Sequence, residues 1–238
     1  MRINYIDNRD CLAGLKDIPD NSVDLVVTDP PYKIVSGGCT NSGGVATSGI
    51  LSHTTQEVRK GTIFHHNSIT FAEWVPEVFR VLKNTAHCYV MVNGRNLSEL
   101  QTVCEKVGFI YQNLLVWNKG NATPNKWYMN QCEFILMLRK GKAKNIRNMG
   151  NTTLLCIKNI IGKKMHPTEK PVELMELLIN NSTEADDIVL DPFMGSGATA
   201  MACIRTGRNY IGFELDEGYH AIAQARIAKE QEVEAWMC

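Results

Sequence analysis

The segment TDPPY, residues 28 to 32, places a carboxylate, two prolines and a tyrosine at the end of the apolar run SVDLVV. Because prolines cannot donate to a β-ladder, one interpretation is that they only terminate a strand. The other is that the rigid pair Pro30 and Pro31 holds Asp29, a proline carbonyl and the Tyr32 ring in one arrangement. Such a set can bind a flat polar molecule, so these four residues form a candidate binding site.

A second segment, DDIVLDPFMGSGATAMA at residues 186 to 202, has the pattern of a strand, a tight turn and a helix. Gly195, Gly197 and Ala200 match a fingerprint in which small residues let the backbone approach a nucleoside-bearing ligand. The next strand, NYIGFEL, ends in Glu214, whose carboxylate can accept hydrogen bonds from both hydroxyls of a ribose. The alternative is that Glu214 is a surface carboxylate at a strand end.

The fingerprint alone also permits a nicotinamide or flavin ligand. A pyrophosphate needs free glycine amides directly after the strand, whereas Asp191, Pro192 and Phe193 fill the turn here. An acidic side chain repels phosphates but attracts a ligand that carries an ammonium and a sulfonium group. The turn therefore favours S-adenosylmethionine.

Length and composition are typical of a soluble globular protein with one domain, at 238 residues with 44% hydrophobic and 21% charged residues. No run of about 18 apolar residues predicts a membrane span, and the N-terminus has no signal-peptide pattern. The eight cysteines form no CxxC pair, which argues against a zinc site. We expect a cytoplasmic protein with free thiols, no metal and no membrane partner.

The net charge of zero hides a basic middle segment, since residues 119 to 164 contain ten Lys and Arg but one acidic residue. This segment is a candidate polyanion-binding surface, or else a solvated basic face. Residues 33 to 50, which contain five glycines, follow TDPPY. They are interpreted as a lid beside the site or as a disordered insertion.

Hydrophobic periodicity predicts strands that alternate with helices, which is typical of an α/β fold with a mostly parallel sheet. The predicted strands are 23–28, 87–93, 109–117, 132–139, 187–191 and 209–214. The predicted helices are 71–83, 97–107, 172–181, 198–205 and 217–230. No helix separates 109–117 from 132–139, so this pair is predicted to be antiparallel.

Three motifs in order, TDPPY, HPTEKP at residues 166 to 171 and DPFMGSGAT, resemble the amino-methyltransferases of DNA, in the permuted β group. The resemblance spans nearly the whole chain and implies a single methyltransferase domain, residues 1–238. It implies a doubly wound, mostly parallel, Rossmann-like sheet of seven strands with an antiparallel hairpin. It also implies a glycine-rich active-site loop at 33–70 and a short basic target-recognition region at 119–165.

The resemblance also implies site residues and partners. Glu214 would bind the ribose, and Asp10 would reach the adenine edge of the cofactor. The cofactor site as a whole would consist of Asp10, Asp29, Thr168, Lys170, Pro171, Asp191, Phe193, Gly195, Ser196, Gly197, Thr199 and Glu214. The expected partner is double-stranded DNA. Phosphate contacts are expected from Lys119, Lys126, Arg139, Lys140, Lys142, Lys144 and Arg147, with Trp127, Tyr128 and Asn130 as base contacts or core residues. Relatives of the β group are frequently homodimers; a restriction partner is left open.

The implied reaction is methylation of an exocyclic amine of a base that has left the duplex, with adenine N6 favoured over cytosine N4 because Asp begins the catalytic motif. Asp29 and the Pro30 carbonyl would accept the two amine hydrogens, while Tyr32 would stack on the base. The alternatives are an RNA or protein amino-methyltransferase, a nucleic-acid binding protein without turnover, and a nicotinamide oxidoreductase.

Overall fold

The computed structural model describes residues 1–31, 69–123, 127–142, 144–160, 162 and 169–237. Tyr32, Lys126, Thr168 and all of the predicted loop 33–70 except its last two residues lie outside these ranges. The strands are β1 Tyr5–Asp7, β2 Val23–Thr28, β3 Leu82–Val92, β4 Ile110–Thr123, β5 Asn130–Arg139, β6 Leu154–Cys156, β7 Ile188–Asp191 and β8 Asn209–Phe213. The helices are α1 Cys11–Leu15, α2 Phe71–Val81, α3 Leu97–Val107, α4 Val172–Ser182, α5 Ala198–Thr206 and α6 Glu217–Met237.

The eight described strands form one sheet in the order β1-β8-β7-β2-β3-β5-β4-β6. All neighbouring pairs are parallel except the two pairs that involve β5. The chain leaves β2 towards β3 on one side and leaves β7 towards β8 on the other. The junction of β2 and β7 is therefore a topological switch point, where α/β proteins bind ligands beyond the carboxyl ends of the strands.

Helices cover both faces of the sheet. On one face, α1, α2 and α3 bury residues such as Leu15, Trp74 and Leu100 against β2, β3 and β8. On the other face, α4, α5 and α6 bury residues such as Leu178 and Ala202. The sheet is thus enclosed between two apolar layers, which explains why β2 and β7 are short apolar runs rather than alternating strands.

Local sequence signals fix where several of these elements begin and end. Helix α2 begins with a capping box, in which the Thr70 backbone N–H donates to the Glu73 carboxylate over 2.7 Å. Helix α3 ends at Gly108, which has a φ of 117°. Gly14 of α1 has no side chain because an added Cβ would lie 2.2 Å from the Phe213 ring, so α1 packs directly on β8.

The predicted α/β fold and the antiparallel pair 109–117 with 132–139 are confirmed, since β4 and β5 pair in antiparallel orientation. The implied sheet of seven strands is an eight-stranded sheet within the described residues. The two strands absent from the predicted set, β1 and β6, have three residues each, too few for a periodic pattern. No helix in the described ranges is long and apolar enough to span a membrane.

Candidate functional site

Most of the predicted catalytic and cofactor residues lie at one edge of the sheet, the carboxyl edge, where the parallel strands end. Asp29 follows β2, Asp191 is the last residue of β7 and Glu214 follows β8. Strand β5 runs in the opposite direction, so its first residues, including Glu133, also lie at this edge. The two predicted motifs, far apart in sequence, are therefore adjacent at the switch point.

The Asp191 carboxylate is buried and hydrogen-bonded on both oxygens. The Thr28 hydroxyl donates to Oδ1 over 2.7 Å, and the Thr199 hydroxyl donates to Oδ2 over 2.6 Å. The Phe193 backbone N–H also donates to Oδ1. Burial nevertheless raises the pKa of Asp191 to about 6, against the effect of these donors. The bond from Thr28 joins the end of the catalytic strand directly to the cofactor turn.

The glycine turn that follows β7 is held against Glu214. The Gly195 backbone N–H donates to Glu214 Oε2 over 2.8 Å, and the Asp216 backbone N–H donates to Oε1 over 2.8 Å. Burial raises the pKa of Glu214, although these backbone donors oppose the change. Gly197 has a φ of 85°, and an added Cβ would lie 3.1 Å from the Ala223 Cβ. Glycine is therefore required there both by the backbone conformation and by the packing of α6.

A row of alternating charges runs from the catalytic segment to the β4–β5 hairpin. Lys170 Nζ donates to Asp29 Oδ2 over 2.5 Å and lies 3.4 Å from Glu133 Oε2. The other oxygen of Glu133, Oε1, lies 3.1 Å from Lys119 Nζ. Burial alone would lower the pKa of Lys170, but the carboxylates of Asp29 and Glu133 reverse this and raise it. Lys170 is therefore a buried, fully charged ammonium beside Asp29.

Arg226 of α6 links the cofactor turn to the segment that precedes α4. Its Nη1 donates to the Ser196 carbonyl over 2.8 Å and lies 3.0 Å from Ser196 Oγ. The same nitrogen forms an ion pair of 2.8 Å with the buried Glu169. Glu169 of the HPTEKP motif and Ser196 of the GSG turn are thus fixed to each other through α6, for which the sequence predicted no role in the site.

The remaining predicted cofactor residues have structural partners of their own. Asp10 caps α1, since its Oδ1 accepts from the backbone N–H groups of Leu12 and Ala13. The Phe193 ring packs edge-on against Trp74 of α2 at 5.4 Å. Pro171 is the residue that precedes α4.

Most of the predicted DNA-contacting residues lie at the opposite edge of the sheet. Arg139 lies opposite His87 of β3 and Ile110 at the start of β4. Lys140 is buried, and its ammonium donates to Asn21 Oδ1 and to three carbonyl oxygens at the end of α2 and the start of β3. Lys142 is exposed and follows directly.

The chain continues along this opposite edge after Lys142. The Lys144 carbonyl contacts His87 Nε2, and Arg147 is bound to the Thr183 carbonyl and to Glu184 just before β7. The cations between residues 139 and 147 that are predicted to contact phosphates therefore lie at the edge of the sheet opposite Asp29, and their contact with DNA stays a prediction. Lys119 lies at the correct edge, but it is paired with Glu133 and its side chain is only 11% exposed.

The tip of the β4–β5 hairpin extends beyond the carboxyl edge and exposes large side chains. Trp127 is 84% exposed, Tyr128 91% and Met129 58%, so these residues are not part of the core. Two exposed cations flank this edge, Arg95 after β3 and Lys158 beside the hairpin. The aromatic core role that the sequence left open for Trp127 and Tyr128 is thereby ruled out.

Three site residues were not identified from the sequence, namely Thr28, Glu133 and Arg226. Glu133 had a usable signal, because it is the only acidic residue in the segment 119 to 164, which contains ten cations. Its partner Lys119 depends on the register of β4 and β5, and Arg226 depends on the packing of α6. Within the described ranges, no group of three or more His, Cys, Asp or Glu is placed to hold a metal ion.

Comparison with known proteins gives a consistent result. The DNA methylase family model matches residues 23–159 and 147–225. The Type II methyltransferase M.HinfI of Haemophilus influenzae is 31% identical over 94% of this chain and 68% of its own length. The crystal structure of the M1.HpyAVI-SAM complex is similar with a TM-score of 0.68 and 27% identity, over 93% of this chain and 98% of that one. PvuII DNA methyltransferase, described as cytosine-N4-specific, shares the fold at 20% identity and a TM-score of 0.68, over 96% of this chain and 89% of its own.

Proposed function

Because the chain belongs to the DNA methyltransferases that modify adenine N6 or cytosine N4, we propose that it methylates the N6 amine of adenine in double-stranded DNA. The observation that carries the proposal is the position of Asp29. It follows β2 at the switch point, and the residue before it, Thr28, is bonded to the buried Asp191 of the cofactor turn. The amine acceptor and the cofactor turn are thus held side by side.

The residues at the carboxyl edge fit S-adenosylmethionine, which supplies an activated methyl group on a sulfonium when it is bound. Asp29, Asp191 and Glu214 give the site an acidic lining, which suits a cationic ligand and repels a pyrophosphate. Glu214 is already oriented by two backbone N–H donors, so its carboxylate can accept ribose hydroxyls without losing its position. The turn from Gly195 to Gly197 lets the backbone approach the ligand.

The other proposed cofactor residues either line the ligand or support the residues that do. Phe193, Gly195 and Gly197 would line the ligand, together with Asp10 beside the adenine edge. Ser196 and Thr199 are buried with their hydroxyls bound to Arg226 and Asp191, so we give them a supporting role. At the methionine end of the cofactor, we propose contacts from Lys170, Pro171 and Thr168, of which Thr168 lies outside the described residues.

The catalytic role that we propose for Asp29 follows from the chemistry of the base. The lone pair of an exocyclic amine is delocalised into the aromatic ring, so the nitrogen is a weak nucleophile. By accepting the amine hydrogens, Asp29 and the Pro30 carbonyl favour a pyramidal nitrogen and stabilise the positive charge that develops on it. The base must leave the duplex to reach this edge, and we propose that Tyr32 stacks on it there.

We place the DNA-binding surface at the carboxyl edge and leave out residues 139 to 147. The surface consists of Trp127 and Tyr128, flanked by Arg95 and Lys158. The phosphate contact expected of Lys126, which lies outside the described residues, stays a proposal of the sequence. Aromatic side chains can stack on unpaired bases, and the flanking cations can neutralise phosphates. The target-recognition role proposed for 119–165 is thereby restricted to the part that reaches this edge. The role of residues 33–70 as an active-site loop and the formation of a homodimer stay proposals that rest on the sequence alone.

The function is tested by incubating the protein with labelled S-adenosylmethionine and DNA, RNA or protein, followed by nucleoside and amino-acid analysis. N6-methyladenine in DNA is the expected product; N4-methylcytosine would replace the adenine proposal, and label in RNA or protein would reject both. Asp29→Ala should lower kcat by at least about a hundredfold while cofactor binding persists. Asp24→Ala is the matched control, because Asp24 lies on the same strand and pairs with Lys83 near its other end.

A further inference from the structure

We propose that Glu133, with Lys119 behind it, is a positioning residue for Asp29 that acts through the ammonium group of Lys170. This inference rests on the proposed function and extends it to side chains that the resemblance does not assign. It is carried by the row of four charges, which the protein assembles from four separate segments. The row is Asp29, Lys170, Glu133 and Lys119.

The arrangement depends on the sheet. Glu133 of β5 lies opposite Trp117 of β4, and Lys119 is two residues further along β4, so both side chains point to the same face. Phe134 lies opposite Val92, the last residue of β3. Glu133 therefore lies just beyond the end of β3, and β3 is the neighbour of β2, the strand that leads to Asp29. Lys170 lies between the carboxylates of Glu133 and Asp29.

The Lys170 ammonium is closer to the carboxylate of Asp29 than to that of Glu133. It lies 2.5 Å from Asp29 Oδ2 but 3.4 Å from Glu133 Oε2. A lysine side chain has four flexible carbons, so an ammonium anchored by Asp29 alone would move with that carboxylate. Glu133 supplies a second anchor, which keeps the ammonium in place when Asp29 binds the amine of a base.

Lys119 limits the attraction that Glu133 exerts on Lys170. Its ammonium lies 3.1 Å from Glu133 Oε1, and its side chain is only 11% exposed. Charged groups face the row from the neighbouring strands as well, since Asp191 at the end of β7 lies near Asp29. With Lys119 present, Glu133 holds Lys170 without drawing it away from Asp29. This gives Lys119, a partly buried lysine of the basic segment, a role other than phosphate binding.

The test compares Glu133→Gln, Glu133→Asp, Lys119→Gln and the double variant Glu133→Gln/Lys119→Gln. Glu133→Gln should lower kcat by about tenfold, with little change in KM for the cofactor or DNA, as expected for a supporting partner of a functional group. Glu133→Asp, which retains the charge, should recover part of the rate. Lys119→Gln should have a smaller effect, and the double variant should match Glu133→Gln because Lys119 acts only through Glu133.

A second readout does not depend on activity. The protons of a buried, doubly paired lysine ammonium exchange slowly with water, so Lys170 should give a resolved ¹H–¹⁵N signal in ¹⁵N-lysine-labelled protein. Glu133→Gln should shift or broaden that signal, whereas Lys142→Gln at the opposite edge should leave it unchanged.

The outcomes separate the two proposals. A Glu133→Gln variant with wild-type kcat and an unchanged lysine signal would overturn this inference, while the proposed function would stand if Asp29→Ala is inactive. An additive loss in the double variant, with a shallower salt dependence of DNA affinity in Lys119→Gln, would instead assign Lys119 to phosphate contact. If the wild-type protein methylates no DNA, the proposed function fails, and the ammonium signal still decides whether Glu133 anchors Lys170.

Discussion

Asp191→Asn is expected to stabilise the ligand-free protein at neutral pH, although it removes a residue of the proposed cofactor site. Burial raises the pKa of Asp191 from 3.8 to about 6, despite the two threonine hydroxyls and the Phe193 N–H that favour the ionised form. The folded protein therefore holds the Asp191 proton more tightly than the unfolded chain does. Ionisation disfavours the folded state by about 3 kcal/mol above pH 6, since each pKa unit corresponds to about 1.36 kcal/mol.

The sign and the pH window follow from these two pKa values. The cost is absent well below pH 3.8, grows as the pH rises through 3.8 and is constant above about 6. The linkage relation gives a cost of about 2 kcal/mol at pH 5 and about 3 kcal/mol at pH 7.5. Asparagine has no such cost, so the stability advantage of Asp191→Asn over the wild type should widen by about 1 kcal/mol between pH 5 and pH 7.5.

Urea unfolding of the two proteins at several pH values from 5 to 7.5 measures this difference. Altered hydrogen bonds to Thr28 or Thr199 add a term that does not depend on pH, so the slope is the diagnostic quantity. Asp186→Asn, at an exposed position two residues before the same strand, is the control for the exchange of a carboxylate for an amide. A gap between Asp191→Asn and the wild type that stays constant with pH would refute the raised pKa. Cofactor affinity should fall in Asp191→Asn, because the ligand loses an anionic partner.

Three further substitutions test the remaining parts of the site. Gly197→Ala should lower the free energy of unfolding in urea by about 1 to 3 kcal/mol, because the backbone has a φ of 85° and the new Cβ would lie 3.1 Å from the Ala223 Cβ. Gly207→Ala measures the effect of the backbone conformation alone, since Gly207 has a φ of 67° but open space around it. Lys140→Met should destabilise the fold by about 2 kcal/mol and leave DNA affinity unchanged, because the buried ammonium donates hydrogen bonds to carbonyl oxygens. The control Lys142→Met should change neither stability nor DNA affinity. A lower DNA affinity in Lys140→Met would instead show that Lys140 contacts DNA. Arg226→Ala should raise the cofactor Kd by about tenfold in calorimetry by releasing the glycine turn; an unchanged Kd would leave Arg226 with a purely structural role.

The parts of the fold that the sequence predicted are those with long periodic patterns. Helix α3 was predicted at 97–107, as observed, because Leu100 and Cys104 give it a buried face and Gly108 ends it. The short elements β1, α1 and β6 were missed, since three or five residues cannot display a period. Strand β3 begins at Leu82, directly after α2, because Leu82 pairs with Val23 of β2. The polar residues Lys83, Asn84 and Thr85 follow at a register shift, and pairing with β2 resumes at His87.

The candidate site could be predicted where its residues are adjacent in sequence and not where they meet through packing. Asp29 and Asp191 each belong to a local strand-to-turn pattern, so their positions at the carboxyl edge followed once the sheet was expected to be parallel. The bond from Thr28 to Asp191 joins residues 163 positions apart. The bond from Arg226 to Ser196 likewise depends on how α6 packs, which no local pattern specifies.

The basic segment shows why the net charge of a segment does not place its cations at one edge of the molecule. A segment charge indicates an edge of the molecule only if the segment stays at that edge. Strand β5 has ten residues, and at about 3.3 Å per residue it carries the chain about 33 Å across the sheet. Lys119 therefore lies at the carboxyl edge, in the same row of charges as Asp29, whereas Arg139, Lys140 and Arg147 lie beside the beginnings of the parallel strands. Among the described cations, those at the carboxyl edge lie on the side of the sheet where Asp29 is found, so we expect them, with the exposed Trp127 and Tyr128, to contribute to the proposed DNA surface.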